Sequence, residues 1–278
     1  MTTISLTSIP PRFEFLQQTL QSLLQQRADV HEIRVNIPKS YRRFPEGSFS
    51  MPELPEGATL VVLDHDFGPA TKILPTLEAK RGSNEPLIYC DDDRIAHPNF
   101  VSDLLAGAQK KPGCILANSG WDLEKLGVQP KRETGQVRAK RLKSIFDVPY
   151  RLRRLRQDIG GLFSAKSPLK PNRSRNFWRL GALDIMEGMG GVLLYSDSLD
   201  DDVFNVPAKV WTVDDIWLSG MAAKKGTIIW ANNSIIPDEI AGAEVDALCN
   251  DTIEGLNRAQ ANLECVRVLQ RNYGVWAE

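Results

Sequence analysis

Apolar positions along this chain follow two alternating rhythms. Thr3–Thr7 (TISLT) and residues 32–37 (EIRVNI) alternate apolar and polar side chains, the period of a half-buried strand. Continuous apolar runs at Ala58–Leu63 (ATLVVL), 87–90 (LIYC) and 114–117 have the length of fully buried strands. Between them lie stretches with apolar residues three and four apart. Phe13, Leu16, Leu20, Leu23 and Leu24 predict a helix over 12–26 with one buried face, and further helices are expected over 70–80 and 98–110. Strands alternating with helices imply a mainly parallel sheet covered on both faces.

The middle of the chain breaks this rhythm. Residues 131–156 are rich in Lys and Arg, and 160–176 in Gly, Pro and Ser, which predicts an insertion with hinges rather than a second core. Order resumes with Glu187-Gly188-Met189-Gly190-Gly191, a strand at 192–195, a helix beginning at Val213-Asp214-Asp215, a strand at 227–230 and a helix over about 252–271. The expected fold is therefore α/β, a Rossmann-like open mixed sheet flanked by helices. It forms one domain with a first half at 1–125, a basic insertion at 126–180 and a second half at 181–278.

Composition narrows the function. With 278 residues, 42% of them hydrophobic, the chain can bury a real core. A net charge of -1 selects neither nucleic acid nor membrane globally, so any charge effect is local, and no nucleic-acid module is legible. Four cysteines without C-x-x-C spacing and three histidines argue against zinc and for free thiols in a reducing, cytoplasmic setting. Neither a signal peptide nor a spanning apolar run of about 18 residues is visible.

Candidate chemistry sits in three places. Asp91-Asp92-Asp93 directly follows the 87–90 strand. Ligands of open α/β sheets bind at the carboxyl ends of strands, and clustered carboxylates there suit a hard divalent ion, Mn²⁺ or Mg²⁺. The alternatives are a solvated turn or a helix cap. Thr212-Val213-Asp214-Asp215-Ile216 offers paired acids at a helix start, either as a cap or as a general base. Phe67-Gly68-Pro69-Ala70-Thr71-Lys72 is a glycine-containing turn with a lysine, able to meet phosphate but lacking a full P-loop pattern.

Taken in order, TSIPPR after the first strand, GPATK, YCDDD, EGMGG and VDDIWLSG resemble glycosyltransferase family 2 and its GT-A relatives over about residues 1–125 and 185–230. The resemblance implies a nucleotide-sugar donor, with UDP as its nucleotide, and a saccharide or lipid-linked hydroxyl acceptor. It implies Asp91 and Asp93 as metal ligands, and Asp91 and Asp92 beside the donor. Asp215, with Asp214 beside it, is implied as the base of an inverting transfer. Thr7, Ser8, Pro10 and Arg12 would border the nucleotide, Lys72 would contact the donor, and Gly190 and Gly191 would pass close to the donor sugar or acceptor.

The chain departs from that pattern after its second strand, where Asn36-Ile37-Pro38 lacks an acidic pair for the base; Asp66 or Asp64 is the substitute. No histidine follows His97, leaving Asp238 as the stand-in metal ligand. The basic residues within 131–176 suit either a solvated face or peripheral contact with an anionic membrane or acceptor. Trp178, Trp211 and Trp217 suit either sugar stacking or core packing. A sugar nucleotidyltransferase and a non-catalytic carbohydrate- or nucleotide-binding module are the competing functions. Turnover on nucleotide sugars separates them.

Overall fold

The computed structural model describes residues 1–132, 134–142, 146–148, 150–152, 155–156, 159, 169–170, 177–243, 245–246, 253 and 255–277. Its main sheet has eight strands: β1 (Thr3–Thr7), β2 (Glu32–Pro38), β3 (Ala58–Leu63), β4 (Leu87–Tyr89), β5 (Ile115–Ala117), β6 (Ala182–Leu183), β7 (Val192–Leu194) and β8 (Ile229–Ala231). Their order is β6-β8-β5-β7-β4-β1-β2-β3. Strands β4, β1, β2 and β3 are mutually parallel, β7 runs antiparallel between β4 and β5, β8 is parallel to β5, and β6 closes the far edge antiparallel. The expected open mixed sheet is thus present. The chain leaves β1 toward β2 on one side, and β4 takes the other. A crevice opens where strand order reverses in this way, outside the carboxyl ends of β1 and β4.

Alternation along each strand sorts side chains to two faces. Ile4 and Leu6 of β1 and Ile88 of β4 join one buried cluster with Leu16, Leu20 and Leu23 of α1 (Phe13–Leu24) and Phe100, Val101 and Leu104 of α3 (Phe100–Lys110). Leu87 and Tyr89 face the other cluster with α2 (Leu74–Ala79), α4 (Asp214–Lys225) and α5 (Arg258–Tyr273). Each fully buried Leu or Ile contributes roughly 1.5–3 kcal/mol, so covering both faces is what holds the three layers together. Ser5, between Ile4 and Leu6, turns a polar group to the α2 side. Its Oγ donates to the Lys72 carbonyl (2.5 Å) and meets Thr76 Oγ1 at 2.7 Å, and Asn36 Nδ2 donates to both hydroxyls. A buried network of this kind fixes the turn carrying Lys72 over β1.

Four expectations change. β3 is not fully buried: it pairs with β2 alone, at the sheet edge, and Val62 is 43% exposed. The helix expected over 70–80 divides into a 3-10 turn, Gly68–Lys72, and α2, which starts with Pro75 in its first turn. The last helix begins only at Arg258, where Asn257 and Gln260 form a reciprocal capping box. The fourth change concerns the basic insertion. Arg132 and Arg138 converge on buried Asp184 at 2.5 and 2.6 Å, the Ala139 N–H donates to the Ala182 carbonyl, and the Ala182 N–H donates to the Val137 carbonyl. Residues 131–142, where described, are therefore tied to the β6 edge with their arginines paired to acids, not held as a free flap. Lys143, Arg153, Arg154 and most of 160–176 lie outside the described residues. Cys90 and Cys265 are buried free thiols, while Cys249 lies outside the described residues. Among the described residues no helix is long and apolar enough to cross a membrane.

Candidate active site

A cleft of about 240 Å³ opens at the carboxyl ends of β1 and β4, and Thr7, Ser8, Asp91, Asp92 and Asp93 all line it. The three acids do different things. Asp92 is buried and saturated: Ser8 Oγ donates to Oδ2 (2.5 Å), Arg12 Nη1 to Oδ1 (3.2 Å), and Thr19 Oγ1 to its carbonyl (2.6 Å). Asp92 thereby locks the loop after β4 to the loop after β1 and to α1. Lys72 Nζ donates to Asp91 Oδ1 (2.7 Å) and Arg94 Nε donates to Asp93 Oδ1 (2.9 Å). Burial pushes the Asp93 carboxyl up to about 6, with Asp91 and Asp92 adding to this and Arg94 and Arg12 opposing it. Burial acts on Asp91 as well, but the Lys72 ammonium outweighs it and holds Asp91 below the ordinary carboxylate value.

Lys72 is the hub. Its ammonium, 7% exposed, lies 2.7 Å from Asp91 Oδ1, 2.7 Å from Asp214 Oδ2 and 4.0 Å from Asp215 Oδ1. Despite burial, Asp214, Asp91 and Asp215 hold it well above the usual lysine range. One cation thus joins the end of β4 to the first turn of α4. Val213 occupies the cap position of α4 without a side-chain cap, so neither acid serves as the N-cap. Asp214 is buried on Lys72, whereas the Asp215 side chain is 23% exposed and accepts from Gly188 N–H (3.1 Å). Burial first, then the neighbouring Asp214 charge, pushes Asp215 up to about 8; Lys72 opposes, and Asp91 and Glu187 add.

A divalent ion can be tested against this charge balance. Asp91, Asp92, Asp93, Asp214 and Asp215 share Lys72, Arg12 and Arg94, so acids exceed cations, and the neighbouring acids add to the burial that raises Asp215. Among the described residues no group of three or more His, Cys, Asp or Glu side chains makes a ready metal cage. Mg²⁺ and Mn²⁺ commonly take one or two carboxylates and complete their shell with water and substrate phosphate oxygens. Asp92 is committed to Ser8 and Arg12 through both oxygens, whereas Asp91 and Asp93 each keep an oxygen, Oδ2, beyond the one bonded to Lys72 or Arg94, so a donor set this sparse is compatible with such an ion.

A comparison with protein-family profiles gives no match, and neither does a comparison with curated proteins. Among solved structures the chain is similar to S. aureus TarS 1-349, at 9% identity and a TM-score of 0.44, covering 98% of this chain and 72% of that one. It is similar to the same protein in complex with UDP-GlcNAc (9%, TM-score 0.43, 85% of this chain and 57% of that one) and to a mycobacterial protein (15%, TM-score 0.43, 99% and 75%). Likenesses with TM-scores of 0.43–0.44 leave the functional reading to the site itself.

The cleft draws in most of the residues singled out by sequence. Arg12, Asp66, Lys72, Asp214 and Asp215 line it, but Pro10 is not among its lining and is replaced there by Ile9. Asp66 accepts from the backbone N–H groups of Arg42 (2.8 Å) and Gly68 (2.7 Å), which shapes the turn leading into Gly68. Asp64 instead pairs with Lys39 on the surface. Asp238 lies in a small ladder against Ile95, away from the cleft lining. Gly190 packs against Ser119, and Gly191, at φ +82°, packs against the Phe100 ring. The glycine that meets the reactive groups is Gly188, where a Cβ would strike Lys72 Nζ and lie 2.9 Å from Asp91 Oδ1. Trp217 is core, its indole N–H bonded to the Val203 carbonyl (2.8 Å). Trp211 packs against Gly68 and under the Arg42 guanidinium, 4.6 Å from the ring centroid, at the wall of the cleft. Trp178 stays 60% exposed. Tyr41, Arg43, Trp211, Asp246 and Arg258 also line the cleft. They come from loops and a helix start that carry no periodic signal.

Proposed function

We propose that this protein is a GT-A-type glycosyltransferase that moves a sugar from a nucleoside diphosphate donor, with UDP as the nucleotide, to a hydroxyl acceptor. One observation carries the proposal: Lys72 ties Asp91 of the β4 end to Asp214 and beside Asp215 of α4, so donor-side acids and a partly exposed carboxyl share one cleft. Asp91 and Asp93 would hold Mn²⁺ or Mg²⁺, which when bound offsets charge on the leaving diphosphate. Asp215, oriented by Gly188 N–H, takes the proton of the acceptor hydroxyl at its carboxylate. The acceptor oxygen bonds to the anomeric carbon as the bond to the diphosphate oxygen breaks. Attack from the face opposite the leaving group inverts configuration. Asp92 and Ser8 do no chemistry in this scheme; they hold the two strand ends in register.

The experiment is turnover across a panel of nucleotide sugars, with Mn²⁺ and with EDTA, beside calorimetric UDP binding to the wild type and Asp93→Ala. Metal-dependent transfer, and loss of metal-dependent UDP binding in the variant, are expected. UDP binding without turnover on any donor makes the chain a binding module. Pyrophosphate release from a nucleoside triphosphate and a sugar phosphate makes it a nucleotidyltransferase.

A further inference from the structure

The cleft's cations are mostly spoken for. Arg12 is paired with Asp92, Lys72 with Asp91 and Asp214, and Arg43 with Asp246. Arg258 also lines the cleft, yet it pairs with no carboxylate among the described residues; its Nη1 donates to the Thr212 carbonyl at 2.7 Å. It is partly buried and is the first residue of α5. A helix N-terminus disfavours a cation, and the first turn of α5 holds no acid to offset it. Capping does not require the arginine either, because Asn257 and Gln260 already satisfy the helix start. A guanidinium at the positive end of a helix, on the cleft wall and without a carboxylate partner among the described residues, is placed to meet a bound anion.

We propose that Arg258 recognises a phosphate or carboxylate group of the acceptor, and that the acceptor is therefore an acidic sugar or a sugar phosphate. The proposal rests on the glycosyltransferase reading and adds to it the class of the second substrate. Position favours the acceptor over the donor. Thr212, whose carbonyl holds Arg258, precedes Asp215 by three residues on the turn entering α4, which puts Arg258 on the α4 side of the cleft. The donor diphosphate belongs over Asp91 and Asp93. Arginine carries five N–H donors in a planar fork, and among the described residues Nη1 alone has a partner, leaving a pair that matches two oxygens of a carboxylate or phosphate.

Transfer is measured with saturating donor to three matched probes: a neutral methyl hexoside, the corresponding hexuronide and the hexoside phosphate. Charged hydrogen bonds of this type correspond to about a 10- to 100-fold preference. The wild type should show that preference as a lower KM for one or both charged probes, and the better of the two identifies the anion. Arg258→Gln should erase it, Arg258→Lys should retain part, and calorimetric UDP affinity should stay within about twofold. Equal use of neutral and charged probes by the wild type overturns the proposal. So does an Arg258→Gln variant that loses UDP affinity while keeping the acceptor preference, since the residue then serves the donor. If no donor supports transfer, the glycosyltransferase reading has failed on its own. Phosphate and acetate are then titrated into UDP- and Mg²⁺-saturated protein: binding by the wild type that Arg258→Gln lacks supports the anion site, and identical titrations overturn it.

Discussion

Asp215→Asn should make the protein more stable above neutral pH while removing its activity. Asp215 is pushed up to about 8 from an ordinary 3.8, chiefly by burial and by the Asp214 charge. A carboxyl whose folded pKa is raised contributes stability that is complete below its unfolded pKa and is lost as pH rises through the folded value. The window here runs from about pH 4 to about pH 8, at about 1.4 kcal/mol per pH unit. Relaxation around Lys72 and water entry will reduce the total, so the usable interval is pH 6 to 8, where the wild type should lose about 2 kcal/mol relative to the variant. Asparagine keeps the shape and cannot ionise, and Asp214 keeps its contact with Lys72. The assay is urea unfolding of both proteins in EDTA at matched pH, so that the other titrating acids cancel in the difference. Transfer by the variant, assayed with metal, should fall about 10²- to 10⁴-fold, the usual contribution of a general base. Parallel stability curves from pH 6 to 8 would refute the charge argument, and near wild-type turnover would refute the role of base.

Gly188→Ala should cut activity at least tenfold with the fold intact by circular dichroism, because the new Cβ strikes Lys72 Nζ and crowds Asp91. Gly190→Ala should instead lower stability, because its Cβ meets the Ser119 backbone at 2.8 Å; equal effects of the two changes on turnover would contradict this division. Asp184→Ala leaves Arg132 and Arg138 facing each other at the β6 edge and should cost about 2–3 kcal/mol in urea unfolding, with little change in UDP affinity. Phe146, Val148, Leu152 and Leu155 are more than half exposed on the segment that carries Arg151 and Arg156. Co-sedimentation with anionic liposomes should therefore be salt-sensitive and should drop when Arg151, Arg153, Arg154 and Arg156 become Gln; an unchanged variant means a solvated face.

The fold was legible wherever one period covered a whole element. LIYC read as a buried strand and is one, with β1 and β7 on its two sides, and α1 showed its face through Leu16, Leu20 and Leu23. Position in the sheet was not legible. ATLVVL carries the same apolar density as an inner strand, yet it lies at the edge because only β2 reaches it, and the run itself says nothing about its neighbours. The insertion misled for a related reason. A count of lysines and arginines describes a charged surface, but Asp184, some 50 residues later, is what turns Arg132 and Arg138 inward.

The site divides along the same line. The clusters Asp91-Asp92-Asp93 and Asp214-Asp215 could be located because one follows a strand and the other opens a helix, whereas singling out Asp91, Asp93 and Asp215 within them rested on the family resemblance. The partner that relates them could not be placed, because Lys72 is fixed by contacts remote in sequence: its carbonyl is held by Ser5 and its ammonium by Asp91 and Asp214. A lysine after a glycine-proline turn suggests a hand for phosphate. Buried among three carboxylates, it is first a counter-charge, and this changes what it does for the donor. A diphosphate arriving with a divalent ion brings new charge to Asp91, the acid that Lys72 shares with Asp214. Any weakening of the Lys72 contact with Asp91 frees the ammonium toward Asp214 and Asp215, the side where the proton must be taken. Under the proposed function, donor binding and the readiness of the base would be coupled through this one side chain. Lys72→Met should therefore harm kcat more than donor KM, while Asp93→Ala harms donor binding first; a Lys72→Met variant that loses only donor affinity would return Lys72 to the simple role of phosphate contact.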